Sequence, residues 1–390
     1  MITQDARNGS IGHEVFLGLK QIAGRLEVPM NDLVRHQASL ELELTAAVRR
    51  IITEGWYVLG REGEAFEREF ASYCGAKHAV GVANGTDAIE LALRAAGVQA
   101  GDVVITAANA GFYTTASILA IEARPGFADV DLVSHAISTS TLAKALDKYP
   151  LAKAVVVTHL YGRLADAGTL SRMCASAGIP MIEDCAQAHG ARRDGRHSGT
   201  FGLAGCFSFY PTKNLGAIGD AGAIVTEDDE LAQAVRSLRQ YGWKTKYHVE
   251  LIGGRNSRLD EIQAAILLAK LPWLEAWNSR RKAIAEVYSC NIAHPRVVCP
   301  EISGGDYVAH LYVIRCENRD LLRQHLHDRG ISTEVHYPVP DYKQVALQHL
   351  GPWPSLPITE RLSFEVLTLP CFPGMTAAEI DYVTAAVNEW

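Results

Sequence analysis

Two residues of this 390-residue chain have types and a spacing suited to one kind of chemistry. Lys213 lies in FSFYPTKNLG, residues 207–216, 29 positions after Asp184, the acid that closes the apolar run in IEDCAQ at 182–187. A cofactor that works as an electron sink through an aldehyde and a pyridine ring needs an amine to hold the aldehyde and a carboxylate to keep the ring nitrogen protonated. Lys213 and Asp184 match those two roles, so the pair points to pyridoxal phosphate. An aspartate at the C-terminal end of a buried strand also sits where open α/β sheets bind their ligands. Taken singly, Asp184 reads as a helix cap and Lys213 as a solvated loop lysine; spacing and context together favour the chemical reading.

Positioning such a pair takes a sheet, and the chain carries the pattern for one. AVGVAN at 79–84 followed by GTDAIELALRAAG at 85–97 reads as a short buried strand, a turn and an amphipathic helix whose N-terminus carries Gly85, Thr86 and Asp87. A helix N-terminus offers unpaired N–H groups to an anion. The βα alternation continues through VVITAAN at 103–109, AKAVVVTHLYG at 152–162, the helical TLSRMCASAG at 169–178 and PMIEDCAQ at 180–187. The fold class is therefore α/β with a mostly parallel sheet. FSFYPTKN and GAIVT add two β-rich pieces before the helix of DDELAQAVRSLRQYG at 228–242. Upstream, apolar residues at helical spacing over 40–54, closed by Gly55, predict a further helix.

A long helical stretch broken at Pro272 leads into HLYVIRC, a helix over RDLLRQHLHDRG and the strand-like ISTEVHYP, which is a small α+β domain. The expected plan is an N-terminal arm over 1–27, a large cofactor-binding domain over 28–275 and a small C-terminal domain over 276–390.

Bulk composition excludes several function classes. Hydrophobic residues are 48% and charged residues 21% of the chain, with no apolar run of membrane-spanning length. The net charge of -7, from 37 basic and 44 acidic residues, comes with no basic run, so no nucleic-acid partner is expected. Eight cysteines without a CxxC pattern argue against a disulfide framework or a metal site. The N-terminus lacks the features of a secretory signal, so the cytoplasm is the expected compartment. A nicotinamide enzyme would need GxGxxG after the first strand, and ANGTDA is not that.

Seven strings in order make the chain resemble the DegT/DnrJ/EryC1/StrS family of nucleotide-sugar aminotransferases. They run from VPMNDL through GWYVLGREGEAFEREFASYCGAKHAVGVANGTDA, EDCAQAHGA, FSFYPTKNLGAIGDAGAIVT and GGRNSRLDEIQAA to HYPVP and LTLPCFPGMT, and they leave only the first 27 or so residues outside. The resemblance implies the type I fold of pyridoxal phosphate transferases, with a seven-stranded sheet in the large domain. It makes Lys213 the cofactor-bearing lysine and proton shuttle, Asp184 the partner of the ring nitrogen and Gln187 that of the phenolic oxygen. Gly85, Thr86 and Ser208 become the phosphate cradle, and Phe112, in preference to its neighbour Tyr113, the aromatic stacked on the ring.

Asn256 resembles the asparagine that reaches a neighbouring subunit's phosphate, which together with the Trp56–Tyr57 loop implies a homodimer. Arg255, Arg258, His336 and Tyr337 are substrate candidates, while His159 and Tyr161 read as satisfied core groups. The implied reaction moves an amino group from glutamate or glutamine to a keto group, expected at C3, of a dTDP- or UDP-linked 6-deoxyhexose, for amino-sugar, polysaccharide or antibiotic biosynthesis, with pyridoxamine phosphate as the intermediate form of the cofactor. Alternatives within the resemblance are amination at C4 and a non-catalytic sugar-nucleotide-binding regulator. The related 3-dehydratases carry histidine in place of the lysine, and Lys213 argues against them.

Overall fold

The computed structural model describes residues 21–22, 25–302 and 304–390. Most of the expected N-terminal arm, residues 1–20 and 23–24, lies outside the described residues. The core of the large domain is one seven-stranded sheet. In chain order its strands are β1 (His78–Val82), β2 (Val103–Ala107), β3 (Arg124–Ala128), β4 (Ala152–Thr158), β5 (Met181–Asp184), β6 (Ala204–Ser208) and β7 (Gly222–Thr226). Across the sheet they run β1-β7-β6-β5-β4-β2-β3. Only β7 is antiparallel, to both β1 and β6; the pairings from β6 to β3 are parallel. The strands are almost wholly buried, as near-continuous apolar runs covered on both faces require.

This topology brings three strand ends together. Asp184 ends β5, Ser208 ends β6 next door, and Thr158 ends β4 on the other side, in register with Asp184. The helix Gly85–Ala95 begins at the same edge. Its cap is Asn84, whose side chain accepts from Asp87 N at 2.8 Å. The sheet packs tightly there: a Cβ on Gly222 would lie 2.4 Å from the Asn84 carbonyl oxygen, so β7 presses directly on the turn that starts this helix.

The helix Leu274–Asn291 joins the two cores. Its early residues Leu274 and Trp277 pack with the large domain, while Ile284, Ala285 and Tyr288 pack with Tyr312, Leu367, Leu369 and Phe372 of the C-terminal part. The C-terminal part holds a two-stranded antiparallel sheet, β8 (Tyr312–Arg315) with β9 (Val366–Leu369), and the helices Arg319–His327 and Ala377–Asn388. The packing differs from the expected start of the large domain at residue 28. Val28 is fully buried in the C-terminal core and bridges to Ile331, and Arg35 pairs with Glu379 at 3.0 Å. The chain therefore crosses the small domain first and enters the large one near Leu40, which packs with Ile266 and Trp277. All eight cysteines are free thiols, and among the described residues no helix is long and apolar enough to cross a membrane.

Candidate active site

Asp184 is buried at the end of β5, and three donors fix its carboxylate. Ala186 N donates to Oδ1 at 3.1 Å, and the hydroxyls of Thr158 and Thr114 donate to Oδ2 at 3.2 and 3.4 Å. Burial pushes its pKa up against those hydrogen bonds and the nearby Lys213 charge. Such a carboxylate is held for a cationic partner that protein groups do not supply. Lys213 is half-buried in the turn after β6, where its N–H donates to the Tyr210 carbonyl at 2.8 Å. Burial lowers its amine to about 8, with Asp184 pulling the other way. Among the described residues no hydrogen bond or ion pair reaches its Nζ, so the amine is free to react.

Gln187 does not sit on a helix; residues 185–188 form a turn closed by Ala188 N donating to the Cys185 carbonyl at 2.9 Å. Its amide is set by two contacts. Tyr161 N donates to Oε1 at 2.6 Å, and Nε2 donates to the Tyr337 hydroxyl at 3.1 Å. Tyr337 thus joins the site from the small domain. His336 joins beside it: its Nδ1 lies 2.8 Å from Thr368 Oγ1, and its carbonyl accepts from the Tyr161 hydroxyl. Burial and the Lys213 charge lower the His336 ring to about 4.

Gly85 and Ser208 form one feature. A Cβ on Gly85 would come within 2.6 Å of Ser208 Cβ, so the helix N-terminus is seated against the end of β6 as closely as backbone allows. The helix Tyr113–Ala120 ties this corner to Asp184. Thr114 touches the carboxylate, and Ser117 donates to the Thr86 carbonyl at 2.9 Å. A turn with positive φ at Gly111 (+79°) and Phe112 (+72°) starts that helix. The buried Asp341 holds it, accepting from Phe112 N at 3.1 Å and from the Thr115 hydroxyl. Burial raises the Asp341 carboxyl to about 6.

The aromatic pair at 112–113 divides between two neighbourhoods. The Phe112 ring packs with the apolar cluster of Ala108, Phe127 and Tyr342, while the half-exposed Tyr113 ring stands edge-on to Tyr337, with centroids 6.3 Å apart. Tyr113 is thus beside the Gln187–Tyr337 hydrogen bond.

Arg255 is also placed otherwise. Its guanidinium pairs with Glu90 and lies 3.4 Å from Asp87, both on the helix Gly85–Ala95, so it is committed to a structural ion pair. Arg258 is half-buried and makes no ion pair among the described residues. Asn256 is exposed, next to Ser257, whose hydroxyl accepts from Ala83 N at 3.1 Å just before the helix start. Trp56 and Tyr57 are 64% and 49% exposed.

His159 is a core group, 2.8 Å from Glu183, which also accepts from the backbone N–H groups of Gly199, Phe201 and Gly202. With Cys185 these two form a metal-sized cluster, but Glu183 is already saturated by donors. The sequence reading passed over Thr114, Thr158 and Asp341. Thr158 had a signal, since it closes the buried VVVT strand beside the one that ends in Asp184.

These groups fit pyridoxal phosphate on the structure's own terms: a buried carboxylate lacking a cation, a free amine, and a helix N-terminus with a glycine where a side chain would not pass. The DegT/DnrJ/EryC1/StrS aminotransferase family matches residues 39–388. The chain is 42% identical to the erythromycin biosynthesis sensory transduction protein EryC1 of Saccharopolyspora erythraea, over 93% of this chain and 99% of that one. It is 42% identical to a dTDP-3-amino-3,4,6-trideoxy-alpha-D-glucose transaminase of Micromonospora megalomicea, over 89% and 94%. The crystal structure of S. venezuelae DesV superposes with a TM-score of 0.90 at 42% identity, over 93% of this chain and 98% of that one. The chain belongs to the DegT/DnrJ/EryC1/StrS aminotransferase family and is a pyridoxal phosphate-dependent transaminase of that fold.

Proposed function

We propose that this family member transfers an amino group from glutamate or glutamine to the C3 keto group of a dTDP- or UDP-linked keto-6-deoxyhexose. The observation that carries the reading is the free Lys213 amine near a buried Asp184 to which, among the described residues, no ion pair is made. The position on the sugar is supported by relatives named for 3-amino sugars at 39% to 42% identity, one of them named for a UDP-linked sugar. The lysine string FSFYPTKN also resembles that of C3 enzymes more than C4 enzymes.

Pyridoxal phosphate, when bound, supplies an aldehyde and a ring that withdraws electrons. Lys213 holds the aldehyde and, once released, moves a proton at the substrate carbon with Nζ. Asp184, anchored by Thr114 and Thr158, keeps the ring nitrogen protonated, and Gln187 meets the phenolic oxygen. Gly85, Thr86 and Ser208 cradle the phosphate at a helix N-terminus. Phe112, or its neighbour Tyr113, would stack on the ring, and His336, Tyr337 and Arg258 would line the substrate side. The exposed Asn256 and the Trp56–Tyr57 loop support a homodimer in which Asn256 completes the other subunit's phosphate site. An active monomer in sedimentation would overturn that part. A purely regulatory binding protein would have no use for the free amine of Lys213.

The test is the visible spectrum of the purified protein with added pyridoxal phosphate, then glutamate or glutamine, then a panel of dTDP- and UDP-keto sugars. The expected result is a visible band that one donor bleaches and one 3-keto sugar restores, and that Lys213→Ala lacks. A wild-type spectrum that responds to no donor would overturn the reading.

A further inference from the structure

Lys270 is the last residue of the helix Glu261–Lys270, and it is buried. Among the described residues no carboxylate pairs with it; the acceptor its Nζ meets is the Gly216 carbonyl, at 2.8 Å. A buried lysine without a counter-ion is costly, because burial penalises its charged form. An apolar side chain of similar length would fill the space without that cost. What the amine does there that an apolar group could not is to hold one carbonyl, and that carbonyl belongs to the loop that carries Lys213.

The loop runs from Phe209 to Ala217 and closes on itself. Ala217 N donates to the Phe209 carbonyl at 2.8 Å, Lys213 N donates to the Tyr210 carbonyl at 2.8 Å, and a Cβ on Gly216 would stand 2.4 Å from the Pro211 carbonyl oxygen. Anchors follow directly on Lys213. Asn214 is fully buried and donates to Asn278 Oδ1 at 2.8 Å and to the Val308 carbonyl at 3.1 Å. Two residues later Lys270 grips the Gly216 carbonyl, and two residues beyond that Ile218 N donates to Gln263 Oε1 at 2.9 Å. Residues 263 and 270 are two helical turns apart and so share a face, which is the bed of the lysine loop. The helix is itself fixed at its start, where the Glu261 carboxylate accepts from the backbone N–H groups of Gly60, Glu62 and Gly63 at 2.9, 2.8 and 3.0 Å.

We infer that Lys270 is a positioning residue for Lys213: by holding the Gly216 carbonyl it fixes the turn from which the Lys213 side chain projects. The inference rests on Lys213 being the cofactor lysine. Lys270 acts through the loop backbone and not on the reacting atoms. Lys213 Nζ must serve two tasks from one backbone position, holding an aldehyde and then moving a proton at the substrate carbon, and a misplacement of about 1 Å can slow such a step about 100-fold.

Two substitutions on this helix separate positioning from support. Lys270→Met removes the donor and keeps most of the volume, whereas Ile266→Ala hollows the cluster with Leu40, Leu44 and Trp277 and leaves the hydrogen bonds of the loop alone. The first readout is hydrogen–deuterium exchange of the full chain without cofactor, followed by mass spectrometry of peptides covering 207–219. With Lys270→Met we expect unfolding in at least as much denaturant as wild type, yet exchange of the loop amides, Lys213 and Ala217 among them, about tenfold faster. In the holoenzyme we expect the donor half-reaction to slow about tenfold at nearly unchanged donor affinity. Ile266→Ala should do the opposite, unfolding in less denaturant while loop exchange and the half-reaction stay within about threefold of wild type. Wild-type loop exchange and rate in Lys270→Met would overturn the inference. Losses in both variants that track the denaturant midpoint would also overturn it, since Lys270 would then serve stability alone. If wild-type protein shows no spectral response to any donor, the aminotransferase reading fails instead, and the exchange measurement still decides whether Lys270 holds the lysine loop.

Discussion

Gly85→Ala puts one methyl group where the structure leaves no room. The added Cβ would stand 2.6 Å from Ser208 Cβ, 3.1 Å from its Cα and 3.3 Å from its hydroxyl. Carbons rest at about 3.5–4.0 Å, so the helix start must retreat from β6 by roughly 1 Å. The overpacking itself costs about 1–3 kcal/mol. The larger effect falls on the phosphate, because a retreat of that size stretches an N–H···O bond from about 2.8 Å to beyond the range in which it counts as one. A hydrogen bond to a charged group is worth about 1.5–3 kcal/mol, so losing one weakens pyridoxal phosphate binding by roughly 10- to 150-fold. Equilibrium dialysis of the full chain against pyridoxal phosphate measures this directly. Ser208→Gly supplies the control: alone it removes a hydroxyl and weakens binding, but in the Gly85→Ala background it removes the nearest obstacle and strengthens binding. A Gly85→Ala dissociation constant within about threefold of wild type, or two effects that simply add, would refute the close seating of helix on strand.

Lys270 offers a pH-dependent test. It is 3% exposed, its Nζ donates only to the Gly216 carbonyl at 2.8 Å, and burial lowers it from 10.5 to about 8. Its folded pKa lies below its unfolded one, so the folded state binds fewer protons between about 8 and 10.5 and wild-type stability rises with pH across that window. The shift of 10.5 − 8 = 2.5 units corresponds to about 3 kcal/mol of penalty at pH 7. Lys270→Met should therefore unfold at higher denaturant than wild type at pH 7, with the advantage vanishing near pH 10.5; a variant less stable at pH 7 would contradict the burial argument. Arg255→Ala removes the pair with Glu90 and Asp87, but Arg94 still holds Glu90 at 3.0 Å. It should cost about 1 kcal/mol in urea unfolding and leave the KM for the nucleotide sugar within about twofold, whereas a large rise in KM would return Arg255 to the substrate site.

What the sequence could reveal was set by how local each feature is. Strand periodicity and the abrupt ends at Asp184 and Ser208 are local, and they located the sheet edge that carries the site. Lys213 and Asp184 were legible because a single strand pairing, β5 with β6, relates them. It could not reveal what contacts between distant segments decide. The resemblance gave Gln187 a role, but Tyr161 and Tyr337, 26 and 150 residues away, set its amide. Phe112 matched a family pattern, but nothing nearby in sequence announced that Asp341, 229 residues on, would hold the turn that carries it. Arg255 looked available until the helix Gly85–Ala95 presented Glu90 to it.

The electrostatic design of the site follows from what is kept away from Lys213. A carboxylate paired directly with it would hold the amine charged and useless as a base. Among the described residues Asp184 is the one acid that acts on it, and Ala186, Thr114 and Thr158 tie that carboxylate down, so it raises the amine's pKa without bonding to it. Burial works in the opposite direction and wins, leaving the amine at about 8. At pH 7 roughly a tenth of it is then neutral, against well under a thousandth for an ordinary lysine. The imidazoles around it add no competing positive charge: His189 falls to about 3, His336 to about 4, and His310 lower than the ordinary range, each through burial first and the Lys213 charge next. The amine can thus both give and take a proton near neutrality, which is what a single lysine needs in order to hold an aldehyde and then shuttle a proton.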